Sequence, residues 1–177
     1  TGVETDYDGA GLSNWIIDQF QDGILYYNYR GIYGDTGTSP SNQYNNGYAT
    51  PFATVMTCGT GDFDNGNSQS EEFVKLGSVN NPEGAVAAVG LSTVGTHTAY
   101  NNILDMGIYD GIFAKGLWYA GAAEANGDFA MIATYPSNPG NATEAFTAWS
   151  NLIGDPALHL WTAVPKNFAV DHIDVIP

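Results

Sequence analysis

The sequence predicts an α/β fold with a largely parallel sheet flanked by helices. Short β-rich runs alternate with helical segments along the chain, which implies right-handed crossovers between parallel strands. One run, Gly84-Ala-Val-Ala-Ala-Val-Gly90, is small and apolar throughout, as a central strand covered on both faces must be. The composition agrees: 22 glycines and 11 tyrosines, with only 13% charged residues, suit a turn-rich mixed fold better than a helical bundle. At 177 residues and 44% hydrophobic, the chain has the length of one domain and enough apolar surface for a core.

In chain order, Leu12, Trp15, Ile16 and Phe20 fall at helical spacing, with Ser13 or Asn14 as caps. Gly23 to Tyr29 reads as a strand that ends at Arg30-Gly31, and 31–50 reads as a long surface loop without a period. Phe52 to Thr57 is a buried strand running into the turn Cys58-Gly-Thr-Gly61. Ser70 to Leu76 is a short helix with acids in its first turn, where the helix dipole favours them. After the apolar strand, 91–102 reads as a Ser/Thr/Gly loop. Ile103 to Trp118 and Asn126 to Tyr135 have helical or mixed periodicity. Glu144 to Leu152 reads as a helix ending near Gly154-Asp-Pro156, and Leu158 to Val164 as a final strand. Only three or four strands emerge, fewer than a doubly wound sheet usually holds, so further strands are expected from sequence before Thr1.

Charge excludes several functions. Four Lys and Arg against 19 Asp and Glu give a net charge of −15. Nucleic acid and anionic membrane surfaces both require a basic footprint, and four cations cannot make one. No apolar run approaches the roughly 20 residues that span a bilayer. The chain opens at Thr1 without Met and closes on Ile176-Pro177, which reads as a trimmed piece of a longer polypeptide. Solubility accounts for the acidity, and acidic loops are also a source of calcium ligands.

Cys58 is the only cysteine, so neither an intrachain disulfide nor a cysteine-only metal site can form. Three fates stay open: a core filler, a cysteine for a partner chain, or a nucleophile shown at a strand end. Ligands of parallel sheets bind beyond the carboxyl ends of the strands. Three such ends are Arg30-Gly31, Cys58-Gly59 and Thr93 to His97. A turn whose N–H groups point outward can bind an oxyanion and favour a thiolate.

Thr57-Cys-Gly-Thr-Gly-Asp-Phe63, the glutamate-bearing helix after it, and Gly84 to Gly90 with Ser92-Thr93 resemble the second half of a gingipain-type cysteine peptidase domain. Trp149-Ser-Asn-Leu-Ile-Gly-Asp-Pro-Ala-Leu158 with Val164-Pro165 is similar to that family's end, where an immunoglobulin-like module follows. The resemblance implies a caspase-like fold, secretion or surface display, and peptide-bond cleavage by a Cys–His dyad. It makes Cys58 the nucleophile and the N–H groups of Gly31 and Cys58 the oxyanion hole. Thr93, Thr96, His97 and Tyr100 would line the substrate pocket. It also assigns 1–165 to the later half of the peptidase domain, completed by a missing N-terminal half or another chain, and 166–177 to a linker or following module.

One residue departs from the pattern. The family carries His-Gly where this chain has Arg30-Gly31. Arginine stays protonated and cannot take a proton from a thiol, although its charge can favour a thiolate. His97 is the remaining candidate base, against a reading as a pocket-wall or surface residue. His159 reads as structural and His172 lies in the terminal tail. Arg30 is alternatively an ion-pair partner of Asp35 or Asp62. An inactive peptidase scaffold acting as a binding, oligomeric or filament-forming module on the cell surface is therefore the rival reading.

The remaining motifs carry less. Asp62-Phe-Asp-Asn-Gly66 fails the EF-hand template, because its sixth position is Asn67 and its twelfth is Phe73. An irregular calcium site at Asp62 and Asp64, or at Asp6 and Asp8, stays open. Asn141-Ala-Thr143 is a formal glycosylation sequon. There is no Walker loop, no dinucleotide fingerprint and no zinc-type His/Cys cluster, so no cofactor other than calcium is indicated.

Overall fold

A four-stranded sheet runs through the middle of the computed structural model, which describes residues 2–5, 11–31, 39–64 and 66–163. The elements in order are helix α1 (Leu12–Asp22), strands β1 (Tyr26–Tyr29) and β2 (Phe52–Val55), helix α2 (Gln69–Lys75), a small hairpin of β3 (Gly77–Ser78) and β4 (Asn81–Pro82), and strand β5 (Ala87–Leu91). Helices α3 (Thr98–Phe113), α4 (Ala120–Thr134) and α5 (Ala142–Trp149) follow, and strand β6 (Ser150–Ile153) closes the sheet. The sheet order is β1-β2-β5-β6. The first three strands are parallel, with Tyr29, Val55 and Gly90 in one row, and β6 joins antiparallel. The mixed α/β architecture with a mostly parallel sheet is the one expected.

Alternate residues of the two central strands feed two cores. Phe52, Met56, Ala87, Val89 and Leu91 pack under α3, α4 and α5. Ala53, Val55 and Ala88 face α1 and α2, where Phe20, Tyr27, Tyr44 and Phe73 group their rings. Covered on both faces, β2 and β5 are buried along their whole length, which is why both read as unbroken apolar runs. The helix α1 begins at Gly11 rather than at Ser13 or Asn14, with no side-chain cap. Glycine at that position costs only a few tenths of a kcal/mol against a capping side chain. Burial of Leu12, Ile16 and Phe20 at roughly 1.5–3 kcal/mol each outweighs it. Helix α2 carries a full capping box, with Ser68 and Glu71 exchanging hydrogen bonds.

Three further expectations differ from the structure. The segment 91–102 is not loop throughout, because α3 starts at Thr98, where the His97 ring nitrogen accepts the Ala99 N–H. The helix from Glu144 stops at Trp149, and 150–153 turns into β6. Its Asn and Leu are helix-compatible, but pairing with β5 decides their state. Of the strand expected over Leu158 to Val164, the described residues 158–163 make a single bridge, Tyr119 with His159. The glycine-framed hairpin at 77–82 was not anticipated. Asp6, Asp8, Asp35, His172 and the segment 166–177 lie outside the described residues.

Candidate active site

Parallel pairing brings the carboxyl ends of β1, β2 and β5 side by side, with β2 in the middle. The three predicted segments, Arg30-Gly31, Cys58-Gly59 and Thr93 to His97, therefore share one rim of the sheet. Cys58 is partly exposed on it and unpaired with any other sulfur.

The turn that carries Cys58 is fixed from several sides. Gly59 N–H donates to Thr93 O at 2.8 Å and Gly61 N–H to Leu91 O at 3.0 Å, which ties the turn to the extension of β5. Ser70 N–H, at the start of α2, donates to Thr60 O at 2.9 Å. The buried Thr60 hydroxyl donates back to the carbonyls of Val55 and Thr57. These bonds satisfy the backbone groups that a strand end would otherwise leave open. Gly61 and Gly90 lie backbone to backbone: a Cβ on Gly61 would sit 2.6 Å from the Gly90 carbonyl carbon. The glycines of Cys58-Gly-Thr-Gly61 serve this close approach.

On the β5 side, the Cys58 sulfur lies 2.9 Å from Thr96 Oγ1. Asn101 donates from Nδ2 to the same oxygen at 3.1 Å. Asn101 is 2% exposed, and its Oδ1 is buried without a partner. His97 makes no hydrogen bond to Cys58; it is exposed, caps α3 and leans on the Tyr100 ring. Tyr100 in turn packs on Tyr135 and Phe146 in the core.

On the β1 side, Arg30 is committed to the backbone and to α3. Its Nε donates to Asn102 Oδ1 at 2.7 Å, and its two terminal nitrogens donate to Gly31 O and Thr98 O at 3.2 Å each. Gly31 is confined as well, since a side chain there would collide with the Tyr29 hydroxyl. One residue back from Tyr29, Asn28 donates to both oxygens of Asp105 at 2.9 Å. Burial pushes the Asp105 carboxyl up to about 6, against the lowering pull of the hydrogen bonds from Asn28 and Thr54 and the charge of Arg30.

Sequence reasoning thus picked residues that do share the rim: Arg30, Gly31, Cys58, Thr93, Thr96 and His97. It missed Thr60, Asn101, Asn102 and Asp105. The two asparagines were hidden because their segment read as loop; as the first turn of a helix, side chains one turn apart would have been seen to face the rim. Asp62 and Asp64 sit in the turn beyond Gly61, the latter exposed. Among the described residues no group of three or more His, Cys, Asp and Glu side chains could hold a metal. No helix among them is long and apolar enough to cross a membrane.

The model of peptidase family C25 matches residues 4–161. A solved chain described as the Arg-specific cysteine proteinase gingipain R (RgpB) is 26% identical, with a TM-score of 0.72 over 87% of this chain and 37% of its own. A chain from the complex of Porphyromonas gingivalis RgpB pro- and mature domains is also 26% identical, with a TM-score of 0.71 over 87% of this chain and 38% of its own. A third, described as a protease, is 18% identical with a TM-score of 0.66, and it bears on the fold alone. The chain therefore spans less than two-fifths of the two gingipain chains it matches. No curated protein sequence matches significantly.

Proposed function

Because the chain belongs to peptidase family C25, we propose that it is the later half of an extracellular cysteine peptidase domain, with Cys58 as its nucleophile and Arg30 in place of the histidine base. The observation that carries this reading is the locked turn: Cys58 stands partly exposed at the carboxyl end of the middle parallel strand, on a loop held by Thr93, Leu91 and Ser70. Gly31 and Cys58 supply the backbone N–H groups for the oxyanion, and Thr93, Thr96, His97 and Tyr100 form the wall that receives a substrate side chain. The remainder of the domain comes from other sequence of the same protein or from a partner chain.

Arg30 occupies the position of the family's catalytic histidine. A peptide-bond cleavage needs a proton delivered to the leaving amine, and a guanidinium held by Asn102, Gly31 and Thr98 is not a source of one. His97 is engaged as the α3 cap. Acylation is thus separable from amide turnover. With a p-nitrophenyl ester the sulfur attacks the carbonyl, the C–O bond breaks, and nitrophenolate leaves with its electron pair and needs no proton. A stoichiometric burst of nitrophenolate with a matching acyl adduct on Cys58, and no hydrolysis of the corresponding peptide amide, is the expected result. A Cys58→Ala chain that bursts equally, or an absent burst, overturns the reading.

A second reading, a binding or assembly module on this scaffold, is favoured by the commitment of Arg30 to structure. In that case Cys58 gives no burst, while partner binding or self-association survives Cys58→Ala.

A further inference from the structure

We infer that Thr96, oriented by Asn101, donates its hydroxyl hydrogen to the Cys58 sulfur and so holds it as a thiolate without an imidazole. The inference rests on Cys58 being the nucleophile, and it adds two positioning residues to that site.

A threonine hydroxyl has one hydrogen to give and lone pairs to receive. Asn101 Nδ2, 3.1 Å away, fills a lone pair of Thr96 Oγ1 with an amide N–H. The hydrogen of Thr96 must then point elsewhere, and the Cys58 sulfur lies 2.9 Å from the oxygen. A sulfur that receives this hydrogen is favoured in its anionic form, since hydrogen bonds to ionised groups are the stronger kind.

The direction follows from how the Asn101 amide is turned. It is 2% exposed, and its Oδ1 is buried with no partner, while its N–H is spent on Thr96. Were the amide reversed, its oxygen would claim the Thr96 hydrogen, and Cys58 would have to donate as a neutral thiol. The two orientations have opposite consequences for the sulfur. The other cations and rings of the rim are occupied: Arg30 by Asn102, Gly31 and Thr98, and His97 by the Ala99 N–H. Thr96 also directly precedes the N-cap of the sixteen-residue helix α3, whose positive end favours an anion on the same side.

The test is the rate of Cys58 alkylation by iodoacetamide from pH 5 to pH 9, with the urea-unfolded chain as reference. Cys58 is the only thiol, so the signal needs no assignment. Thr96→Val keeps the shape and removes the donor. It is expected to move the curve to higher pH and to lower the rate at pH 6.5 about tenfold, the factor for one pH unit of displacement. Thr96→Ser restores the original curve. Asn101→Asp, which can only accept from Thr96, moves the curve in the same direction as Thr96→Val. Circular dichroism and a melting curve confirm folding, and Asn101→Ala replaces any variant that fails to fold. A reactive wild-type thiol whose curve is unchanged in Thr96→Val and Asn101→Asp overturns the role of the hydroxyl alone. A folded wild-type chain no more reactive than the unfolded one overturns the nucleophile itself.

Discussion

Arg30 Nε and Asn102 Oδ1 lie 2.7 Å apart, joining the end of β1 to the first turn of α3. Two further bonds from the same guanidinium reach the carbonyls of Gly31 and Thr98. The cation at the end of β1 is thus a clamp between that strand and α3. Replacing Arg30 by alanine frees α3 at its start and should cost about 1–2 kcal/mol, read from urea unfolding. Arg30→His asks the chemical question. If this position is where a base is missing, an imidazole there should raise peptide-amide hydrolysis about a hundredfold over the background of the starting chain, the low end of what a general base supplies. No gain in a folded Arg30→His chain would argue that the base is lacking for another reason.

Gly61 and Gly90 touch through their backbones, so Gly61→Ala must push the Cys58 turn off β5. The new Cβ would meet only main-chain atoms, at 2.6 and 2.7 Å, and these cannot swing away. Overpacking of this kind costs about 1–3 kcal/mol. The expected outcome is a lower urea midpoint together with loss of the Cys58 burst; an unchanged midpoint would show that the turn relaxes freely.

Thr60→Val keeps the volume under that turn and deletes one hydroxyl. The Thr57 carbonyl loses the hydroxyl, the Val55 carbonyl keeps only the Thr57 N–H, and Thr60 itself is 4% exposed. A loss of roughly 1–3 kcal/mol follows from removing this buried donor. Equilibrium denaturation measures it, and Thr60→Ser should recover most of it.

Asp128 on α4 provides a pH signature. Burial first, and the neighbouring Glu124 carboxylate second, push it from 3.8 up to about 7, and its Oδ1 is buried without a partner. A carboxyl raised on folding favours the folded state when protonated. Its contribution is full below 3.8 and is lost as the pH rises through about 7. Asp128→Asn should therefore flatten the stability profile, with a higher urea midpoint than wild type at pH 8 and a shrinking difference towards pH 4. Parallel profiles for the two chains would show that the carboxyl is free to hydrate.

Legibility in the sequence followed the strength of local signals. Strands β2 and β5 were readable because burial on both faces leaves no polar position to confuse the period, and α1 because Leu12, Ile16 and Phe20 repeat at helical spacing. Strand β6 was not, since Ser150 to Ile153 has no strand signal of its own and takes its state from β5. The rim was readable from the glycines around Cys58, which report a close backbone approach. Thr60 and Asn101 were silent because their roles depend on hydrogen bonds to residues distant in space, which no spacing rule encodes.

The reversal of β6 decides how the rim is presented. Ser150 pairs with Leu91 at the end of the sheet near Cys58, and Ile153 pairs with Ala88 towards the other end. The chain then stays there: Trp161 O accepts from the Tyr26 hydroxyl at the beginning of β1. A bulky label fixed at Thr162, exposed beside Trp161, would stand at the end of the sheet away from Cys58. Held through that residue, the molecule would present Cys58 outward, and large polypeptides could reach it without meeting the anchor.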